Sequence, residues 1–437
     1  MDNDNNIIKA GEDLTLAKGQ FPVIAVSPWV LRKDNKWQAG TSDDFANLRD
    51  CGFNAFIFAS EDVSSILQTL KVADGYGMDC IFQQYYYSSN KKMEELVTSI
   101  KNDKSIKCVK GYMLKGYPKY LWLKDPSDVN SEQGQVALMY SRLRSLVPDM
   151  PLYLTLSYSL SEGTIGENAT YAKYLEDICG KLPRIRLGYD FSPYVSKDGL
   201  TYLDQQGLYD SLSDFHFIST FRDNERDFWS SCQCSSYITA SNSHPAPTLG
   251  MLRLKAFSAL AYGSQGIMFM NFVQPADNSS EEYMTSAVNR EGERTPVWYY
   301  LQQLNSEIAR YGNVFLGCTV KRVNSNVSRM ERGDGQDCYA SGPFLNVMAG
   351  DSGGILVSDI ENNGFYYRII VNNNPFKSQM LMIVYITNYT SRYEVVEMTP
   401  NFMQSATVSS AGQSDTIKKI ELDPGSYAIV RWRLKGN

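Results

Sequence analysis

A chain of 437 residues, 43% of them hydrophobic and 21% charged, is globular and too long for one ordinary core, so at least two domains are expected. Its formal net charge of -6, with no basic block or stripe to offset it, argues against nucleic acid as a partner. No run of ~18 apolar residues is present to span a membrane. Having only two histidines, His216 and His244, disfavours both a multi-histidine metal site and a Ser-His-Asp hydrolase.

The chain opens with Met1-Asp2-Asn3-Asp4-Asn5-Asn6, a polar stretch without the apolar centre of a signal peptide, and residues 1–20 read as a flexible segment. From residue 21 to about 275, short β-branched or aromatic runs alternate with longer helix-patterned segments, which predicts βα units around a parallel sheet. The eight strand candidates are Pro22 to Trp29, Phe53 to Phe58, Asp79 to Tyr86, Val109 to Leu114, Leu152 to Ser157, Ile185 to Phe191, Phe228 to Ser235 and Gly266 to Phe272. Apolar residues at i, i+3 and i+4 mark helices over Asp43 to Cys51, Val63 to Tyr76, Met93 to Lys101, Gly134 to Leu146, Tyr171 to Leu182 and Met251 to Tyr262. Eight alternations fit a closed (β/α)8 barrel. An open doubly wound sheet is weakened by the lack of any Gly-rich phosphate loop after the first strand.

An amphipathic helix over Pro296 to Tyr311 completes the barrel, which is assigned to residues 21–313. Residues 314–437 then change character: strands over Gly354 to Ile360, Phe365 to Asn372, Met380 to Asn388 and Ser426 to Trp432 alternate with turns such as Asn362-Asn363-Gly364, which predicts an antiparallel β-sandwich. The fold class is thus a TIM barrel followed by a C-terminal β-sandwich domain.

The eight cysteines lack C-x-x-C spacing, so neither a structural zinc site nor a redox motif is indicated, and no cofactor is expected. Cys232 and Cys234, two apart in one strand, read as core thiols. Aromatic content of 12%, with 29 Tyr and 6 Trp, suits a cleft that stacks on pyranose faces; filling β-rich packing is the equally weighted alternative for any one ring.

Val109-Lys110-Gly111-Tyr112-Met113-Leu114-Lys115-Gly116-Tyr117-Pro118 has the form of a strand breaking at Gly and Pro. With Tyr189-Asp190-Phe191-Ser192-Pro193, Phe228-Trp229-Ser230-Ser231-Cys232-Gln233-Cys234-Ser235, and Pro247-Thr248-Leu249-Gly250-Met251-Leu252-Arg253 followed by Ala259 to Ile267, it resembles the bacterial barrel-plus-sandwich glycoside hydrolases of the broad β-galactosidase-like clan. The closing Leu422-Asp423-Pro424-Gly425-Ser426 is similar as well, so the likeness covers nearly the whole chain. In that family the first run usually reads Gly-Tyr-x-x-x-Asp-Glu-Pro, and its Glu is the general acid. Here Tyr117 stands at that position, Ser192 replaces an aromatic, and Met251 falls where Glu is common.

The resemblance implies a carbohydrate, oligo- or polysaccharide, as partner. It also implies a place outside the cytoplasm: secreted, periplasmic or on the cell surface. Glycoside hydrolysis needs two carboxyls, ~5 to 9.5 Å apart, and strand C-terminal ends supply site residues in such barrels. Asp190 is the strongest candidate; Glu61, with Asp62 and Glu162, follows, although a carboxylate at a helix N-terminus is the plainer reading of Glu61. Expected substrate contacts are Trp29, Gln84, Tyr85, Lys115, Tyr117, Tyr158, Trp229, Gln233 and Asn271, all near strand ends. Three functions remain open: hydrolysis of an O-glycosidic bond in the barrel cleft, binding of glycan by a catalytically silent descendant, or a structural surface component whose cleft is vestigial.

Overall fold

The structure, a computed structural model, describes residues 20–33, 36–84, 90–114, 132–158, 170–220, 227–278, 281–327, 341–349, 354–386, 388–398, 406–408 and 416–436. These residues divide into two compact units. One takes in 20–247 and 264–316, the other 248–263 and 317–436.

The first unit is the barrel. Its eight parallel strands are Val23–Val26, Ala55–Phe58, Asp79–Gln84, Val109–Leu114, Leu152–Ser157, Ile185–Asp190, Phe228–Gln233 and Ile267–Met270. They pair in chain order, and the first strand closes the ring by pairing with both the second and the eighth. Local chemistry sets the helix ends between them. Thr41 and Asp44 form a capping box at the start of Ser42–Asp50, Asp62 accepts from the Ser65 backbone N–H at 2.7 Å, and Gly77 ends Val63–Tyr76 in the left-handed conformation.

Alternation along the strands sends one side chain in two to the interior, where Ile24, Val26, Ile57, Ile81, Met113, Tyr153, Trp229 and Met268 form one apolar cluster. Tyr153 and Trp229 are its largest members and stack with ring centroids 4.2 Å apart. Glycines make the room: a Cβ on Gly111 would press on the Tyr153 ring, one on Gly266 on the Trp229 indole, and one on Gly188 on Thr155 and Met268. Gly111, part of the run that first suggested a catalytic strand end, therefore has a packing role inside the barrel.

Segments after the sixth, seventh and eighth strands rise from the rim and form a second, antiparallel sheet. Its order is Leu200–Leu203, Tyr194–Lys197, Ser243–His244, Ser236–Thr239 and Glu281–Thr285. The helix Gln205–Thr220 follows its outer strand, and the helix Pro296–Phe315 ends the unit.

The second unit is a sandwich of two antiparallel sheets. One has the order Thr319–Val327, Ile355–Asn362, Phe365–Asn372, Tyr427–Leu434, Tyr393–Met398; the other runs Phe344–Ala349, Gln379–Tyr385, Thr416–Leu422, Ala406–Val408. Val347, Ile355, Ile370, Ile383, Ile420 and Val430 belong to the core that their inner faces share. Arg368, wholly buried, donates to Asp359 from Nε at 2.7 Å and Nη2 at 2.9 Å, while Arg322 Nη2 reaches the same carboxylate at 2.7 Å. Burial works to raise the Asp359 carboxyl, but the two guanidinium groups outweigh it and hold it below the usual carboxylate range.

The helix Leu249–Ala261 packs with this sandwich unit, although it lies in sequence between the seventh and eighth barrel strands. Phe257 stacks on Tyr427 with centroids 3.4 Å apart, Ser358 Oγ donates to the Ala261 carbonyl at 2.7 Å, and Gly425 lies so close to Gly250 that a side chain there would overlap its carbonyl. Every residue from Gly250 to Ala261 is buried, so this helix has no solvent face of the kind its sequence spacing suggested.

Candidate functional site

Asp190 lies at the C-terminal end of the sixth barrel strand, beside the seventh. Tyr189 and Asp190 end the sixth strand, and their alternation places them on opposite sides of the wall. Tyr189 is buried outward, with Oη 2.6 Å from Ser211 Oγ of the helix Gln205–Thr220. Asp190 faces the seventh strand, where Ser231 donates its Oγ–H to Asp190 Oδ1 at 2.6 Å. Ser231 lies on the same face of its strand as the inward Trp229 and Gln233. A carboxylate is thereby fixed at the top of the barrel interior, above the Tyr153–Trp229 stack.

Gln233, one inward position beyond Ser231, is 92% buried, being only 8% exposed. Its amide Nε2 donates to the carbonyls of Ser235 at 2.7 Å and Pro245 at 3.1 Å, while its Oε1 is buried without a hydrogen-bond partner. An amide whose donors are both used turns its acceptor to whatever enters beside it.

The rim sheet completes the surroundings. Tyr237 donates its phenol to Ser192 Oγ at 3.2 Å and stacks on His244 with centroids 4.3 Å apart at 20°. Burial pushes the Tyr237 phenol up to about 12; the bond to Ser192 opposes this, while the carboxylates of Asp190 and Glu281 add to it. Both carboxylates therefore act on the same ring. His244 Nδ1 donates to the Tyr194 carbonyl at 2.9 Å, and burial holds the imidazole below its ordinary value, so near neutral pH the ring is neutral with Nε2 as its acceptor nitrogen. Asn271, at the end of the eighth strand with φ of 57°, donates from Nδ2 to Tyr283 Oη at 3.3 Å, and Tyr283 in turn donates to Glu281 Oε2 at 2.8 Å.

The structure thus gathers Asp190, Gln233 and Asn271 of the expected residues around one rim, and adds Ser231, Tyr237, His244, Tyr283 and Glu281, which sequence reasoning missed. Ser231 was legible from the period-two face it shares with Gln233. The four rim-sheet residues carried no such signal, because their strands are two to five residues long.

Three expected contacts are corrected. Trp29 is 5% exposed and sits among Phe45, Phe56 and Phe58, with its indole N–H on the Gln38 carbonyl, so it is a core ring behind the wall and not a sugar platform. Trp229, 1% exposed, fills the barrel interior. Tyr158 follows the inward Ser157 and so points outward, packing on Tyr171 and Phe191. Burial raises its phenol to about 12, with Asp214, Asp210 and Asp204 adding to the shift, which places it beside the outer helix Gln205–Thr220 and its approach.

Glu61 stands half-buried after the second strand; the helix cap is Asp62, whose backbone N–H is held by Ser60 Oγ at 3.1 Å. The side chain of Gln84, and Tyr85, Lys115, Tyr117 and Glu162, lie outside the described residues. Among the described residues no group of three or more His, Cys, Asp or Glu able to hold a metal ion occurs, and no helix is long and apolar enough to cross a membrane.

Comparison with known proteins bears on this rim directly. Residues 193–311, which begin just past Asp190 and contain the whole rim sheet, match the family model Glyco_hydro_42, β-galactosidase. No curated protein matches significantly. Among solved structures, a catalytic mutant of Gan42B, a GH42 β-galactosidase from G. stearothermophilus, is 9% identical with a TM-score of 0.59 over 96% of this chain and 99% of that one. The β-galactosidase from Bacillus circulans sp. alkalophilus is 8% identical with a TM-score of 0.59 over 94% of this chain and 99% of that one. The chain spans 61% of the β-galactosidase from the psychrophilic Marinomonas ef1, at 12% identity, 68% coverage of this chain and a TM-score of 0.47. The chain therefore has the TIM-barrel-plus-sandwich fold of solved GH42 β-galactosidases, and its residues 193–311 carry that family's sequence pattern.

Proposed function

We propose that this protein is a glycoside-hydrolase-like protein that takes an oligo- or polysaccharide at the C-terminal rim of its barrel and hydrolyses an O-glycosidic bond there, with Asp190 as one of the two carboxyls. The observation that carries the reading is Asp190 itself: an inward carboxylate at a strand end, held by Ser231 and bordered by Tyr237, next to the residues that match the β-galactosidase family. Glu281 is the second described carboxylate acting on that border. Outside the cytoplasm, where polymeric glycans are met, is the place proposed for this activity.

The test is turnover on a panel of aryl-glycosides and oligosaccharides. Asp190→Asn should lower kcat by ~100-fold or more, as expected for removal of a general acid or base, while the folded state and glycan affinity persist. Turnover that survives Asp190→Asn would remove Asp190 from the reaction.

A second reading, glycan binding without cleavage, is favoured by Tyr117, which stands in the sequence where the resembled glycoside hydrolases carry the Glu that serves as general acid, since glycoside hydrolysis needs two carboxyls. Calorimetric binding of oligosaccharides with no turnover across the panel selects it.

A further inference from the structure

Strand register in the rim sheet aligns more rings than the site uses. Tyr237 lies opposite both His244 and Tyr283, and Tyr202 lies opposite Val195. The pair Ser243 and Ser196 sets the middle register, so His244 faces Val195 across it. Directly opposed residues in antiparallel strands share a face, and the five side chains therefore form one transverse row: Tyr283, Tyr237, His244, Val195, Tyr202. Leu200, two residues from Tyr202, is on the same face.

The two ends of this row differ. At one end Tyr283 is buried against Asn271, and Tyr237 reaches Ser192 beside Asp190. At the other, Tyr202 is 51% and Leu200 60% exposed, on the edge strand of the sheet. The opposite face of that same end is already occupied: Tyr194 is buried there, close to Tyr209 of the helix Gln205–Thr220. Packing thus accounts for one face of the outer strands and leaves the ring-bearing face open. From Tyr237 to Tyr202 is three inter-strand steps, roughly 14 Å at the usual strand spacing, which is longer than a single pyranose.

We propose that this row is a ramp that seats the outer units of an extended glycan, so that the ligand of the rim is a polysaccharide chain whose pyranose faces lie along Val195 and Tyr202 and whose hydroxyl groups meet the edges of the stacked Tyr237 and His244, while one end reaches Asp190. The inference rests on the carbohydrate reading of the same site and adds the length of its ligand. A glycan is the occupant that the row fits. Its rings carry phenol and imidazole edges for hydroxyl groups, its apolar atoms match C–H faces, and the row runs without a break into the polar rim.

The experiment measures affinity by calorimetry for β-1,4-galacto-oligosaccharides of one to six units, with β-1,4-xylan and β-1,3-glucan ladders of the same lengths alongside. It compares the full chain with Tyr202→Ala and Tyr202→Trp. In the unaltered protein, affinity for one of these ladders should rise at least ~10-fold from the shortest unit bound to the hexasaccharide. Tyr202→Ala should lose about that factor on the hexasaccharide and leave the shortest ligand unchanged, and Tyr202→Trp should restore it. Affinity that does not grow with length, or a hexasaccharide indifferent to Tyr202→Ala, overturns the ramp while leaving the carbohydrate reading intact. Failure of every saccharide to bind overturns both. Sedimentation run in parallel covers the rival occupant: a self-association abolished by Tyr202→Ala, with glycan affinity unchanged, assigns the face to a second copy of this chain and overturns the proposal.

Discussion

The barrel interior and the rim sheet use aromatic rings in opposite ways. Inside, Trp229 and Tyr153 stack with almost no exposure, and two glycines, Gly266 and Gly111, leave the room they occupy. On the rim, Tyr237 and His244 stack just as closely, but their row continues to a tyrosine that is half in water. Ring stacking by itself therefore does not mark a sugar site. The side of the wall on which the ring falls, and what remains open in front of it, does.

The contrast is broken most directly at Trp229. Trp229→Ala removes the largest ring of the interior and should lower unfolding stability by about 3–5 kcal/mol in denaturant melts; a change below ~1 kcal/mol would mean that the interior is not organised around it. Asp190→Asn, directly above, should leave stability nearly unchanged and act on turnover, which separates the packed layer from the chemical one.

His244 sharpens the comparison through pH. Its folded pKa is held below the ordinary ~6.5, so the unfolded chain takes up its proton first. The contribution to stability is complete above about pH 6.5 and is lost as pH falls through the folded value. Denaturant melts between about pH 7.5 and about pH 5 should show this loss, and His244→Gln should reduce it. Equal slopes in the two proteins would remove His244 from the pH dependence. The smallest effect is expected at Tyr202, where replacement by Ala should shift stability by no more than ~0.5 kcal/mol, as for an exposed surface position. A larger loss would make Tyr202 part of the packed structure and the rim more like the interior.

Much of the architecture was legible in the sequence because the barrel repeats one pattern. All eight barrel strands fall inside the expected segments, and the strands over 355–362, 365–372, 379–385 and 427–434 lie within three residues of those expected in the sandwich. The site was legible only in part. Asp190, Gln233 and Asn271 sit on long regular elements whose ends could be counted. Trp29 misled because strand periodicity gives two faces but not which is inner, and Trp229 because, although inward, it is the second residue of its strand and lies in the packed interior, short of the strand's C-terminal end. The rim sheet was missed for a different reason. Strands such as Ser243–His244 are too short to carry a period, and their partners lie up to 50 residues away, as His244 and Tyr194 do.

The helix Leu249–Ala261 also bears on the order in which the chain is made. Its stacking partner Tyr427 and the Gly425 that fits against Gly250 are near the C-terminal end of the sequence. During synthesis the last barrel strand, Ile267–Met270, emerges long before those partners do. A nascent chain that has completed all eight barrel strands therefore still carries an apolar helix awaiting more than 150 further residues, as the span from Ala261 to Tyr427 shows. A fragment ending at Leu316 would carry it permanently, and that fragment is where aggregation during expression should begin.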